Sequence, residues 1–106
     1  MNFDEFWNAV KDFKHDLLLK TLDRELEFEV SQRSKRPIIP KNDVLYITPM
    51  STRKERSISI SQFYHVWNEA KTEHRPFIPG KYAQLTRNSS YIVSIMKFIV
   101  GDQKID

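Results

Sequence analysis

The side chains best suited to chemistry in this sequence are cations, and they are unevenly placed. Residues 32–57 hold seven Lys and Arg against two acids, a net of +5. Residues 1–31 hold four against eight, and residues 58–106 six against four, so the chain's net charge of +3 conceals a strong segregation. Arg53, Lys54 and Arg56 form one dense basic group. A second set, Arg75, Lys81, Arg87 and Lys97, lies in a stretch without a single acid, from His74 to Gly101. That stretch interleaves its cations with Phe77, Tyr82 and Tyr91. Cationic side chains neutralise phosphates, and neighbouring rings can stack on unpaired bases. Asn88, Ser89 and Ser90 open a predicted helix, whose first N–H groups favour an anion. The candidate nucleic-acid-binding residues are therefore Arg53, Lys54, Arg56, Arg75, Lys81, Tyr82 and Arg87. If they share one surface they reach on the order of 3–6 phosphates, and log affinity falls with log salt at a slope of about −3 to −5.

Catalytic patterns are poorly represented. His65 and Glu69 stand one helical turn apart, but a metal site needs at least one further ligand and none is indicated. His74 beside Glu73 suits a helix end. Glu69-Ala70-Lys71 has the spacing of part of a restriction-type nuclease site, but that pair belongs on a strand and here falls on a predicted helix. With only Gly80 and Gly101, the chain has no phosphate-cradling glycine loop, and it has neither H-E-x-x-H nor G-x-S-x-G. Glu25, Glu27 and Glu29 alternate along one predicted strand and read as its wet face, because a hard-cation site draws ligands from several segments. The sequence predicts a protein that is not an enzyme and uses no cofactor and no metal.

Composition fits this picture. A chain of 106 residues, 40% hydrophobic and 12% aromatic, suits one domain with one core. Cysteine is absent, which excludes disulfides and thiolate chemistry and fits a reducing, cytoplasmic setting. No apolar run has the length of a bilayer span, and the acidic start is unlike a signal peptide, so no membrane partner is expected.

The elements that must position these groups follow from periodicity. Phe3, Phe6, Trp7, Val10, Phe13, Leu17 and Leu18 have helical spacing, with Asp4, Asn8, Lys11 and His15 opposite. Asn2 and Glu5 make a capping box, and the helix is expected to run to about residues 20–22. Leu26, Phe28 and Val30 alternate with glutamates as a half-buried strand. Pro37 and Pro40 exclude helix before a turn at Asn42-Asp43. Residues 44–48 and 57–60 are predicted as two more strands, joined by a basic hairpin tip. A second helix, capped by Ser61, carries Phe63, Val66, Trp67 and Ala70 on one stripe. An ordered loop pinned by Phe77, Ile78, Tyr82 and Leu85 leads to a third helix, with Ile92, Ile95, Met96 and Ile99 inside and Gly101 just beyond its end. The tail 102–106 is expected to fray. Some 15 residues between the last two helices exclude a helix-turn-helix.

The expected fold is thus α+β: an N-terminal helix, a three-stranded antiparallel sheet, and two C-terminal helices packed on one face. The predicted core is Phe6, Val10, Phe13, Leu17, Phe28, Val30, Leu45, Ile47, Ile60, Phe63, Val66, Trp67, Ile92, Ile95, Met96 and Ile99. The predicted function is non-enzymatic binding of DNA or RNA. The alternative is a protein-interaction module, a homodimer that buries the surplus of Phe3, Trp7 and Leu19 and pairs its sheet edges.

Overall fold

The computed structural model describes residues 1–13, 16–39, 41 and 43–106. His15, Pro40 and Asn42, used in the sequence reading above, lie outside the described residues. The fold is α+β. Helix α1 (Phe3–Lys11) leads into strands β1 (Leu17–Lys20), β2 (Glu27–Ser31), β3 (Val44–Pro49) and β4 (Arg56–Ser59). Helix α2 (Ile60–Ala70), a 3-10 turn (Pro79–Tyr82) and helix α3 (Ser89–Val100) follow. The sheet is an antiparallel meander in the order β1-β2-β3-β4.

The sheet therefore has four strands, one more than the sequence pattern predicts. The expected first helix divides into α1 and β1. Asn2 and Glu5 form the predicted capping box, but the helix stops at Lys11 with Asp12 as C-cap. Leu17 and Leu19 then face inward while Leu18 is exposed, which is strand alternation. A short run of three leucines satisfies helical and strand periods equally. Pairing with Val30 and Phe28 of β2 settles the matter. Leu26, expected inside a strand, sits in the β1–β2 turn and is exposed. Thr21, itself buried, closes that turn: its N–H donates to the Leu26 carbonyl at 3.0 Å and its Oγ1 accepts from the Leu26 N–H at 3.0 Å.

Residues paired across an antiparallel ladder share a face. Leu17, Val30, Ile47 and Arg56 form one such row, and Leu45 and Ile58 another. This face carries the core. It is buried with Phe6, Trp7 and Val10 of α1, Phe63, Val66 and Trp67 of α2, and Ile92, Val93, Ile95, Met96 and Val100 of α3. Four predicted core residues, Phe13, Leu17, Ile60 and Ile99, are only half-buried. Ile58 takes the inward place near the start of α2, because the helix begins at Ile60, one residue before the predicted cap Ser61. The loop before α3 is pinned by Phe77 and Tyr82 but not by Ile78 and Leu85, which are exposed.

Two further placements differ from expectation. The tail is docked, not frayed: Ile105 is 6% exposed, and Trp67 Nε1 donates to the Asp106 carbonyl at 2.9 Å. The Met1 ammonium donates to the Lys104 carbonyl at 2.8 Å, and the Asp106 N–H to the Met1 carbonyl at 2.9 Å. The aromatic surplus of α1 is also spent internally. Phe3 meets Trp67 edge-on at 5.8 Å between centroids and Tyr64 at 5.1 Å, while Trp7 lies 5.4 Å from Phe63. The helix-one surface on which the homodimer reading rested is thus largely covered by α2.

The opposite face of the sheet is covered by chain. The connection after β2 leaves the far end and doubles back as a strap, residues 32–39, over Tyr46 and Thr48. Lys35 Nζ pairs with Glu29 on that face. Ser34 Oγ donates to Glu55, and the Lys35 N–H donates to the second oxygen of the same carboxylate at 2.8 Å.

Candidate nucleic-acid interface

In an antiparallel meander, alternate turns share an end. The β1–β2 turn, residues 21–26, and the β3–β4 turn, residues 50–55, therefore lie together, and the Met50 N–H donates to the Glu27 carbonyl at 3.0 Å. The start of α3 joins them, since Ser90 Oγ donates to Asp23 Oδ2 at 3.1 Å. Cations from four separate segments converge on this end.

On the helix side, Arg24, Arg56 and Arg87 line one shallow depression with Asp23, Ser90 and Tyr91. Arg56 is the first residue of β4, not part of the hairpin tip. Its pairing with Ile47 turns its side chain toward the helices, where the guanidinium covers the Tyr91 ring at 5.5 Å. On the outer side, Arg53 and Lys54 line a second depression with Lys35, Arg36, Thr48 and Glu55. Among the described residues, Arg24, Arg53, Lys54, Arg56 and Arg87 make no ion pair. The acids of this end are mostly committed. Glu29 holds Lys35, Asp23 accepts from Ser90, and Glu55 receives Ser34, the Lys35 N–H and Arg36 Nε at 3.5 Å. Glu25 and Glu27, at the same end, are exposed and partly offset the positive field.

Glu55 fastens the strap to the hairpin. Its side chain is 7% exposed. Desolvation pushes its carboxyl upward, but the Ser34 hydroxyl, the Lys35 N–H and the Arg36 guanidinium together hold it below the usual glutamate value of 4.5. A carboxyl lowered in the folded state contributes stability above its unfolded value, and that contribution is lost as pH falls through the folded value. Denaturant titrations should therefore show Glu55→Gln less stable than the parent at pH 7, with the gap closing below about pH 4. A gap that persists unchanged at low pH would show that the carboxylate's charge is not what holds the strap.

The remaining candidates do not join this end. Lys81 Nζ is held by Glu73 Oε2 at 3.0 Å and by the Arg75 carbonyl at 3.2 Å. Their segment leads into Phe77, which Lys97 of the last turn of α3 covers at 5.0 Å. Tyr91 lies six residues before Lys97 on the same helix, about 9 Å away along its axis, and Arg87 lies just ahead of the N-cap Asn88. Neither Arg75 nor Lys81 lines either depression of the turn end. Tyr82 is not a stacking platform: it is 1% exposed, and its hydroxyl donates to the Pro76 carbonyl at 2.7 Å. Burial, with Glu73 and Glu69 nearby, pushes that phenol up to about 12, so it stays a donor. Tyr91 is also committed, between Arg56 and the edge of Phe28 at 5.0 Å. The rings that interleave these cations are occupied, and the interface offers charge without an open aromatic face.

The helix N-terminus is likewise partly served, because the Asp23 carboxylate sits at the first turn of α3 through Ser90. Arg24 is the member that sequence reading missed. The triplet Asp23-Arg24-Glu25 signals a turn only once residues 17–20 are read as a strand. Among the described residues no three His, Asp or Glu converge as a metal site, and no helix is long and apolar enough to cross a membrane. Comparison of the chain with protein-family models, curated proteins and solved structures finds no match, so its functional reading rests on the chemistry of this surface.

Proposed function

We propose that this protein is a non-enzymatic nucleic-acid-binding module that grips the sugar–phosphate backbone with the turn end of its sheet. The observation that supports the reading is the convergence of Arg24, Arg53, Lys54, Arg56 and Arg87, five cations from three segments of the chain, none of which makes an ion pair among the described residues. Arginine forks suit phosphate because two N–H groups meet two oxygens. With the neighbouring rings occupied, base stacking contributes little. The binding is therefore electrostatic, weakly dependent on sequence, and at least as good for duplex as for single strands, since duplex carries charge more densely.

The test is a titration of labelled single- and double-stranded DNA and RNA at several salt concentrations. The slope of log affinity against log salt should lie between about −3 and −5, with duplex preferred or equal. A slope near zero, or no binding at low salt, would overturn the proposal. Anionic lipid vesicles belong in the same panel, because Leu22, Leu26 and Leu85 are exposed near these cations in the chain. Binding to vesicles with none to nucleic acid would also count against it.

A further inference from the structure

The outer face of the sheet holds a feature that the cationic end does not use. Tyr46 stands in the middle of β3, opposite Ser31 on one side and Ser57 on the other, and faces away from the helices. The strap covers it, so that it is 2% exposed. Among the described residues its hydroxyl has no hydrogen-bond partner. Buried polar groups are nearly always satisfied, and an exception calls for an explanation. Tyr82 makes the contrast within the same chain, since its buried hydroxyl has the Pro76 carbonyl.

A cavity of about 430 Å³ adjoins Tyr46, walled by Gln32, Arg33, Ser34, Ile38 and Lys41. That size falls in the range of small-ligand sites. Its chemistry is divided. Ile38 and the Tyr46 ring supply an apolar wall. Arg33 and Lys41 supply positive charge, and among the described residues neither is in an ion pair. Gln32 is fixed in place, because its Nε2 donates to the carbonyls of Val10 at 2.8 Å and Phe13 at 3.1 Å. Beyond Gln32, the strap that forms the roof is tied down where Ser34, Lys35 and Arg36 meet Glu29 and Glu55, while Ile39 further along is 85% exposed.

We infer that this cavity binds a small organic anion with a compact apolar body and a polar atom at its far end. The anionic group sits with Arg33 and Lys41, the body lies against Ile38 and the Tyr46 ring, and the polar atom pairs with the Tyr46 hydroxyl. This site does not depend on the nucleic-acid reading, and it uses none of the five free cations.

The experiment is an NMR titration of the full chain with 4-hydroxybenzoate, benzoate and inorganic phosphate. Saturable shifts at Tyr46, Ile38 and Ser34 are expected with 4-hydroxybenzoate. Benzoate, lacking the distal hydroxyl, should bind about five- to tenfold more weakly, and phosphate should leave Ile38 unmoved. Tyr46→Phe should abolish the preference for the hydroxylated compound without lowering the melting temperature, because the hydroxyl it removes has no partner among the described residues. Arg33→Ala with Lys41→Ala should weaken both aryl carboxylates. Absence of saturable shifts up to roughly 10 mM would overturn the inference. So would a preference that survives Tyr46→Phe, or a loss of stability in that variant, which would mean that a resident water already satisfies the hydroxyl.

Discussion

Replacing Arg24, Arg56 and Arg87 together with alanine is expected to weaken nucleic-acid binding by roughly 10²-fold at low salt and to reduce the salt slope by about 3. Each arginine that meets a phosphate releases close to one counterion, so the slope counts the lost contacts directly. The loss should be uniform across sequences, since these groups meet backbone and not base edges. The matched control is Arg75→Ala with Lys81→Ala. It removes two positive charges against three, at residues that line neither depression and where Glu73 already holds Lys81, and it should change affinity by no more than about twofold. Equal losses in the two variants would show that bulk charge, not the turn end, carries binding. Stability must be read alongside. Arg56 covers Tyr91, so its removal costs on the order of 0.5–1 kcal/mol, too little to unfold the chain.

Removing Ile105 and Asp106 is expected to destabilise the fold by about 3–5 kcal/mol. Exposing a buried isoleucine costs about 1.5–3 kcal/mol, and leaving the Trp67 N–H without its acceptor adds about 1–3 kcal/mol. In a domain of this size the melting temperature should fall by at least about 12 °C. Asp106→Ala separates the two causes. It keeps the main-chain carbonyl that Trp67 uses and removes only a surface pair with the Met1 ammonium, worth about 0–1 kcal/mol. If truncation and Asp106→Ala have the same small effect, the tail does not contribute to the core.

The fold class and most of its core follow from local pattern. The stripe Phe63, Val66, Trp67, Ala70 and the stripe Ile92, Ile95, Met96 each bury on one helix face as their spacing dictates. Phe28, Val30, Leu45 and Ile47 alternate inward as strands must. Local pattern fails where two periods coincide, as at residues 17–19, and where the partner lies far away in sequence. Nothing near Ile105 announces that Trp67, in the middle of α2, receives the tail.

The candidate site divides along the same line. The sequence by itself determined that cations are segregated into residues 32–57 and the acid-free stretch after His74, because charge is a property of composition. Which of them act together was decided by tertiary structure. Antiparallel order places the first and third turns at one end and so brings Arg24 to Arg56 and Arg87. Ladder register turns Arg56 to the helix side, away from Arg53 and Lys54. Pairing with Glu73 and the Arg75 carbonyl holds Lys81 in its own loop, and neither Arg75 nor Lys81 lines a depression of that end. Burial removes Tyr82, whose hydroxyl must find a partner inside the protein and finds the Pro76 carbonyl. Each of these facts is non-local: a turn end, a register and a burial exist only once strands separated in sequence have paired.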